Sequence, residues 1–161
     1  MTKAGGGSEQ SEQTVEKQPI NGAALPFYVV GIGSSAGGLE ALRPLIRSLD
    51  TDANLALVIA QHLSPQHESL MTSLLARETE IPVQLVEDGT RLARGRIYVT
   101  PPNANVTVLD GCLCLRPPER DHGPKPSINL LLKSIAQDQA SNGIGVVLSG
   151  TGSDGADGMR S

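Results

Sequence analysis

The stretch Phe27-Tyr28-Val29-Val30-Gly31-Ile32-Gly33-Ser34-Ser35-Ala36-Gly37-Gly38 constrains this chain more than any other. It opens as a short apolar run, closes in glycines and serines, and passes at once into an amphipathic segment from Leu39. That succession predicts a buried strand, a tight turn and a helix. Gly33 to Gly37 spells G-x-S-x-G, in which Ser35 would sit on a strained strand-to-helix turn with its hydroxyl above the sheet. The glycines are needed because a side chain on either flank would clash with strand or helix. The amide after Ser35 would lie near a helix N-terminus, where developing negative charge is stabilised. Gly31 to Ala36 also fits G-x-G-x-x-G/A, a dinucleotide fingerprint. A turn that only lets strand and helix pack is a third reading, and the stretch alone leaves all three open.

The rest of the chain supplies the frame. Residues 1–25 are rich in Gly, Ser, Glu, Gln and Lys and cannot bury enough apolar surface to offset ordering entropy, so they read as a disordered polar tail. The first strand runs from Phe27 to about Gly33. The helix after Gly38 places Leu39, Leu42, Leu45, Ile46 and Leu49 on one face, with Pro44 predicting a kink or break near Leu42. Leu55 to Ala60 is a continuous apolar run, as expected of a strand covered on both faces in a parallel sheet. A second helix is expected over Pro65 to Thr79, with Leu70, Met71, Leu74 and Leu75 inward. Strands follow at Pro82–Val86 and Arg96–Val99, and Asp110-Gly111 joins Asn105–Leu109 to Cys112–Leu115 as a hairpin. Arg116 to Lys125 is a polar loop. Ser127 caps a helix carrying Ile128, Leu131, Leu132, Ile135 and Ala136. Ile144–Leu148, apolar throughout, is expected in mid-sheet and opens into the glycine-rich Ser149–Gly158. The fold class is therefore α/β: a three-layer open sheet, mostly parallel, with one antiparallel hairpin.

Composition narrows the function. With 161 residues the chain makes one domain, and a net charge of −4 gives no electrostatic footprint for nucleic acid. No apolar run could span a membrane and no signal-peptide core is present, so the expected location is cytoplasmic. Cys112 and Cys114 would share one strand face and read as structural. Two lone cysteines do not make a zinc site.

Sites in open α/β sheets lie beyond the carboxyl ends of strands. Ser35, His62 and Asp154 each follow a strongly apolar run, and together they are the parts of an acyl-transfer triad. The chain order Ser, His, Asp differs from the Ser, Asp, His of the α/β-hydrolases. His67 and His122 read as surface residues. The dinucleotide reading weakens because Gln61-His62, not an acid, ends the second strand. The P-loop reading fails for want of a lysine after the glycines. An anion nest in the loop around Asp154 stays open.

Ile32 to Gly38, Gln61-His62 and Gly150-Thr151-Gly152-Ser153-Asp154-Gly155 resemble the protein-glutamate methylesterase domain of bacterial chemotaxis, the CheB type. Glu87-Asp88-Gly89, Tyr98 to Pro102 and Pro126-Ser127-Ile128 carry the same resemblance, which extends from Phe27 to Ser161. It implies that Ser35 is the nucleophile, His62 the base and Asp154 its partner, with Ala36 and Thr151 as backbone oxyanion donors. The implied reaction is hydrolysis of glutamate γ-methyl esters on chemoreceptor signalling helices, extending in many members to glutamine deamidation, without metal or cofactor. The resemblance also implies a methylesterase domain over 26–161. Family domains continue past the aspartate loop, so truncation at the C-terminus is expected. The short polar tail where members commonly carry a phosphorylatable receiver domain, together with Gln61-His62-Leu63-Ser64-Pro65, resembles versions fused to a receptor methyltransferase, an expected partner. Where members often carry Thr after the serine, this chain has Ala36. A catalytically silent docking module of the same fold is the alternative.

Overall fold

The computed structural model describes residues 24–35, 37–62, 68–118, 126–149 and 154–161. Strands β1 (Tyr28–Ser34), β2 (Leu55–Gln61), β3 (Val83–Leu85), β5 (Arg96–Val99) and β8 (Gly143–Ser149) form one sheet in the order β3-β5-β2-β1-β8. Every pairing in it is parallel. Helices α1 (Gly38–Arg47) and α2 (Glu68–Ala76) cover one face, and α3 (Ile128–Gln139) covers the other.

The three layers follow from residue parity. Val30 and Ile32 of β1, Leu57 and Ile59 of β2 and Ile97 and Val99 of β5 pack with Leu42, Ile46, Met71 and Leu75 of the helices. The alternate residues Val29, Ala56, Val58, Ala60 and Tyr98 pack with Ile128, Leu131, Leu132 and Ile135 of α3. Strands buried on both faces read as unbroken apolar runs, which is why β1 and β2 were legible without helical or alternating patterning.

Gly31 and Gly33 point toward α3, and their missing side chains set how deeply it seats. A Cβ on Gly33 would meet Ile128 Cγ2 at 2.2 Å, and one on Gly31 would meet Ile135 Cδ1 at 2.6 Å. At the other end of the motif, Gly37 has φ 83° and ψ −6°, a left-handed conformation that glycine adopts at no steric cost. These glycines serve packing and chain reversal, as the steric reading of the motif expected.

The antiparallel element is larger than one hairpin. β6 (Asn105–Leu109) and β7 (Cys112–Arg116) pair across Asp110 and Gly111, whose φ values of 51° and 70° are those of a type I′ turn. The two-residue β4 (Thr90–Arg91) joins β7 to make a separate three-stranded sheet. Val106, Val108 and Leu113 of this sheet, with Leu92 just after β4, pack into the α3-side core. So short a strand carries no periodicity and could not be read from sequence.

Three further expectations are corrected. α1 runs unbroken through Pro44. Pro44 and Glu40 are both exposed, so the carbonyl left unpaired by the missing N–H faces water, while Leu42 and Ile46 are wholly buried. Leu70 is 53 % exposed rather than inward, whereas Met71 and Leu75 are buried. Among the described residues β8 lies at one edge of the sheet rather than in its middle, with Ile144 and Val147 about two-fifths exposed, at 40 % and 41 %. An apolar run does not by itself fix a strand's place in the sheet. Residues 1–23, most of the loop around residue 120 and the start of the expected second helix lie outside the described residues.

Seating α3 against Gly33 makes that position intolerant of any side chain. Gly33→Ala should lower stability by roughly 1–3 kcal/mol through overpacking, measured as a lower urea midpoint at unchanged slope. Adding Ile128→Ala should recover part of the loss, because the two side chains compete for one volume.

Candidate active site

The strand order places β1 between β2, which the chain reaches through α1, and β8, which it enters from α3. α1 lies on one face and α3 on the other, and the carboxyl ends of β1, β2 and β8 border the resulting crevice. Ser35 directly follows β1, His62 directly follows β2, and Asp154 lies beyond β8.

Alternation assigns the first two residues to the same side. Val29, Gly31 and Gly33 face α3, and Ser35 is next in that series; Ala56, Val58 and Ala60 face α3, and His62 is next in theirs. The His62 amide donates to the Ser34 carbonyl at 3.0 Å, carrying the β1–β2 ladder one step past the strand ends. The backbones bearing Ser35 and His62 are thereby held side by side.

Asp154 arrives from a different direction. His62 Nε2 and Asp154 Oδ2 are 2.9 Å apart, with the two side chains only 18 % and 13 % exposed. The same carboxylate accepts from the first two amides of α3: Ile128 N–H to Oδ2 at 2.9 Å and Asn129 N–H to Oδ1 at 3.0 Å. Those amides have no partner within the helix, and the positive end of its dipole favours an anion there. Ser127 caps the helix by accepting from Leu130 N–H, as expected, and its own amide donates to the wholly buried Asn105 Oδ1 at 2.8 Å. The start of α3 is thus fixed to β6 on one side and to Asp154 on the other.

Burial is the largest single influence on the Asp154 carboxyl and pushes it up. The hydrogen bond from His62, the amides of Ile128 and Asn129 and the charge of the imidazole side together outweigh it, holding the carboxyl below its ordinary value. With Nε2 turned to Asp154, the free ring nitrogen of His62 is Nδ1. The arrangement can hold an imidazole in a fixed orientation.

Ser34 is distinct from Ser35. It is wholly buried on the α1 side, and its Oγ has no hydrogen-bond partner among the described residues. A Cβ on Gly38 would lie 2.6 Å from that Oγ, which explains the second glycine of the Gly37-Gly38 pair. Ser35 is only half-buried. Ala36, Thr151, His67 and His122 lie outside the described residues. Cys112 and Cys114 are free, half-buried thiols of β7, and burial pushes the Cys114 thiol up. Among the described residues no group of His, Cys, Asp and Glu could hold a metal ion, and no helix is long and apolar enough to cross a membrane.

This geometry can be set beside known proteins. The CheB methylesterase family profile matches residues 30–161. The chain belongs to that family. It is 35% identical over 135 residues to protein-glutamate methylesterase/protein-glutamine glutaminase 3 of Paramagnetospirillum magneticum, an alignment covering 82% of this chain and 38% of that protein. It is 35% identical over 152 residues to protein-glutamate methylesterase/protein-glutamine glutaminase 2 of Methanospirillum hungatei, covering 89% and 43% respectively. The crystal structure of the Thermotoga maritima CheB methylesterase catalytic domain superposes with a TM-score of 0.77 at 26% identity, covering 84% of this chain and 74% of that one. The chain thus spans less than half the length of these curated relatives. The α/β fold with its parallel central sheet is that of the CheB catalytic domain.

The α3 amides were the feature that sequence reasoning missed. Pro126-Ser127-Ile128 marked a helix start, but nothing in the spacing of residues 127 and 154 indicated that the aspartate would lie on it.

The depressed Asp154 pKa has a consequence for acid stability. A carboxyl whose folded pKa lies below its unfolded value, about 3.9, contributes stability that is present above that value and lost as pH falls through the folded one. Asp154→Asn should therefore be less stable than the parent at pH 7, with the gap closing below about pH 4. Urea unfolding at the two pH values measures it.

Proposed function

We propose that the chain is a serine hydrolase acting as a protein-glutamate methylesterase, with Ser35 as nucleophile, His62 as general base and Asp154 as the group that orients and stabilises the imidazole. The observation that carries this reading is the His62–Asp154 pair at 2.9 Å, formed at the carboxyl ends of the strands on the side where Ser35 follows β1.

The chemistry follows from the residues. His62 Nδ1 takes the proton of Ser35 as its Oγ attacks the γ-carbonyl carbon of a methylated glutamate. The negative oxygen of the tetrahedral intermediate would be met by the amides of Ala36 and Thr151, assigned from sequence position, the first lying two residues before the start of α1. His62 returns the proton to the departing methoxide, releasing methanol and leaving an acyl-serine. Water, deprotonated by the same imidazole, then releases free glutamate. An amide substrate would pass through the same steps with ammonia leaving, in keeping with the glutaminase half of the relatives' names.

The substrate we propose is the methylated signalling helix of a chemoreceptor, met in the cytoplasm. A receptor methyltransferase, fused or separate, is the proposed functional partner, since it makes the ester that this site would cleave. A site built only for docking would not need a buried carboxylate held on two amides and an imidazole.

Methanol release from methylated receptor tests the assignment. Ser35→Ala and His62→Ala should each reduce turnover by roughly 10⁴-fold or more, and combining them should add little, because such residues act as one unit. Asp154→Asn should be severe but less complete. Ser34→Ala should keep most of the activity, its side chain being buried on the opposite face. Normal turnover in Ser35→Ala would refute the triad, and a folded parent chain without turnover would favour the docking module.

A further inference from the structure

Asn129 is half-buried in the first turn of α3 and bonds on two sides of Asp154. Its amide donates to Asp154 Oδ1 at 3.0 Å. Its side-chain Oδ1 accepts from Gly155 N–H at 2.9 Å and from Gly158 N–H at 2.8 Å. Both partners are donors, so the amide oxygen must face them. One residue thus holds the carboxylate through its main chain and the segment that carries that carboxylate through its side chain.

The segment that carries Asp154 is a glycine-containing turn. Gly155 has φ 98°, and residues 154–157 form a turn that leads into a 3-10 turn at Gly158–Arg160. Glycine backbones are permissive, so such a turn holds its shape only where its polar groups are tied. Gly158 also packs closely on α3: a Cβ there would lie 2.8 Å from Leu132 Cβ and 3.2 Å from Asn129 Cα.

We infer that Asn129 is a positioning residue for the esterase reaction: by pinning Gly155 and Gly158 to α3 it fixes the Asp154 carboxylate at the distance and angle His62 requires. The inference rests on the proposed triad. Asn129 touches no reacting atom; it acts through Asp154. The property that matters is a short side-chain oxygen acceptor, which Asp would supply and Ala would not.

The test uses Asn129→Ala and Asn129→Asp with two readouts. In steady-state kinetics, Asn129→Ala should lower kcat by about 10²-fold with KM little changed, the size of loss expected when a reacting group is misplaced by about 1 Å. Asn129→Asp should restore kcat to near the parent value. The second readout needs no turnover. In a Ser35→Ala background, the proton between His62 Nε2 and Asp154 should give a downfield NMR resonance that broadens or vanishes in Asn129→Ala and returns in Asn129→Asp.

Parental kcat and an intact resonance in Asn129→Ala would overturn the inference, and so would a folded Asn129→Asp that fails to restore either. If Asn129→Ala does not fold, Asn129→Asp decides alone, because it keeps the acceptor and exchanges the amide NH₂ for a carboxylate oxygen, whose charge the positive end of α3 favours. Should the resonance respond as expected while Ser35→Ala proves fully active, the positioning role stands and the triad assignment fails. The two failures are therefore distinguishable.

Discussion

The carboxylate of Asp154, seated across the first two amides of α3, is the interaction on which the rest of the site depends. It joins the start of α3 to the imidazole that follows β2: Oδ2 contacts both the Ile128 amide and the imidazole of His62. Its position is inherited from the helix. The helix takes its height above the sheet from Gly31 and Gly33, since Ile128, Leu132 and Ile135 occupy the space their side chains would fill. A chain of contacts therefore runs from two glycines of β1, through the packing depth of α3, to the oxygen that faces His62. The site is a consequence of core packing and cannot be adjusted independently of it.

The same interaction explains how a largely buried carboxylate persists. Removing an anion from water is expensive unless it is paired and hydrogen-bonded. Here two main-chain donors and one imidazole nitrogen replace the lost water, and hydrogen bonds to a charged group contribute about 1.5–3 kcal/mol each, roughly twice a neutral one. The amides come without ordering entropy of their own, because α3 is already held by Ile128, Leu131, Leu132 and Ile135. A flexible Lys or Arg would have neutralised the charge and competed with His62. Amides stabilise the anion and leave its reactivity toward the imidazole intact.

How much of this was legible depended on whether a feature was local. β1, β2, the Asp110-Gly111 hairpin and the Ser127 cap are each specified within a few residues, and each stands where the pattern put it. Ser35, His62 and Asp154 were legible as strand-end residues. The bond between the last two was not, since it joins positions 92 apart in the chain. Pro44 suggested a break that α1 does not show. Ile144–Leu148 misled because an apolar run does not fix a strand's place in the sheet, and here Ile144 and Val147 stay exposed. The two-residue β4 and the contacts of Asn129 have no local pattern at all. What sequence withheld was the relation between layers.

The adjacent serines show that relation at its sharpest. Ser34 and Ser35 are chemically identical neighbours, and period-two alternation sends them to opposite layers. A slip of one residue would exchange them, burying Ser35 under α1 and bringing Ser34 to the side of His62. The seven-residue parallel pairing of β1 with β2 resists such a slip. The glycines resist it more strongly. In the observed register the α3 side of β1 carries Gly31 and Gly33, while Val30 and Ile32 fill the opposite core. Shifted by one, Val30 and Ile32 would be driven into Ile135 and Ile128, where even a single Cβ already collides. The G-x-G pattern that looks like a phosphate cradle thus acts as a register lock. It holds Ser35 rather than Ser34 on the side of β1 where the imidazole stands.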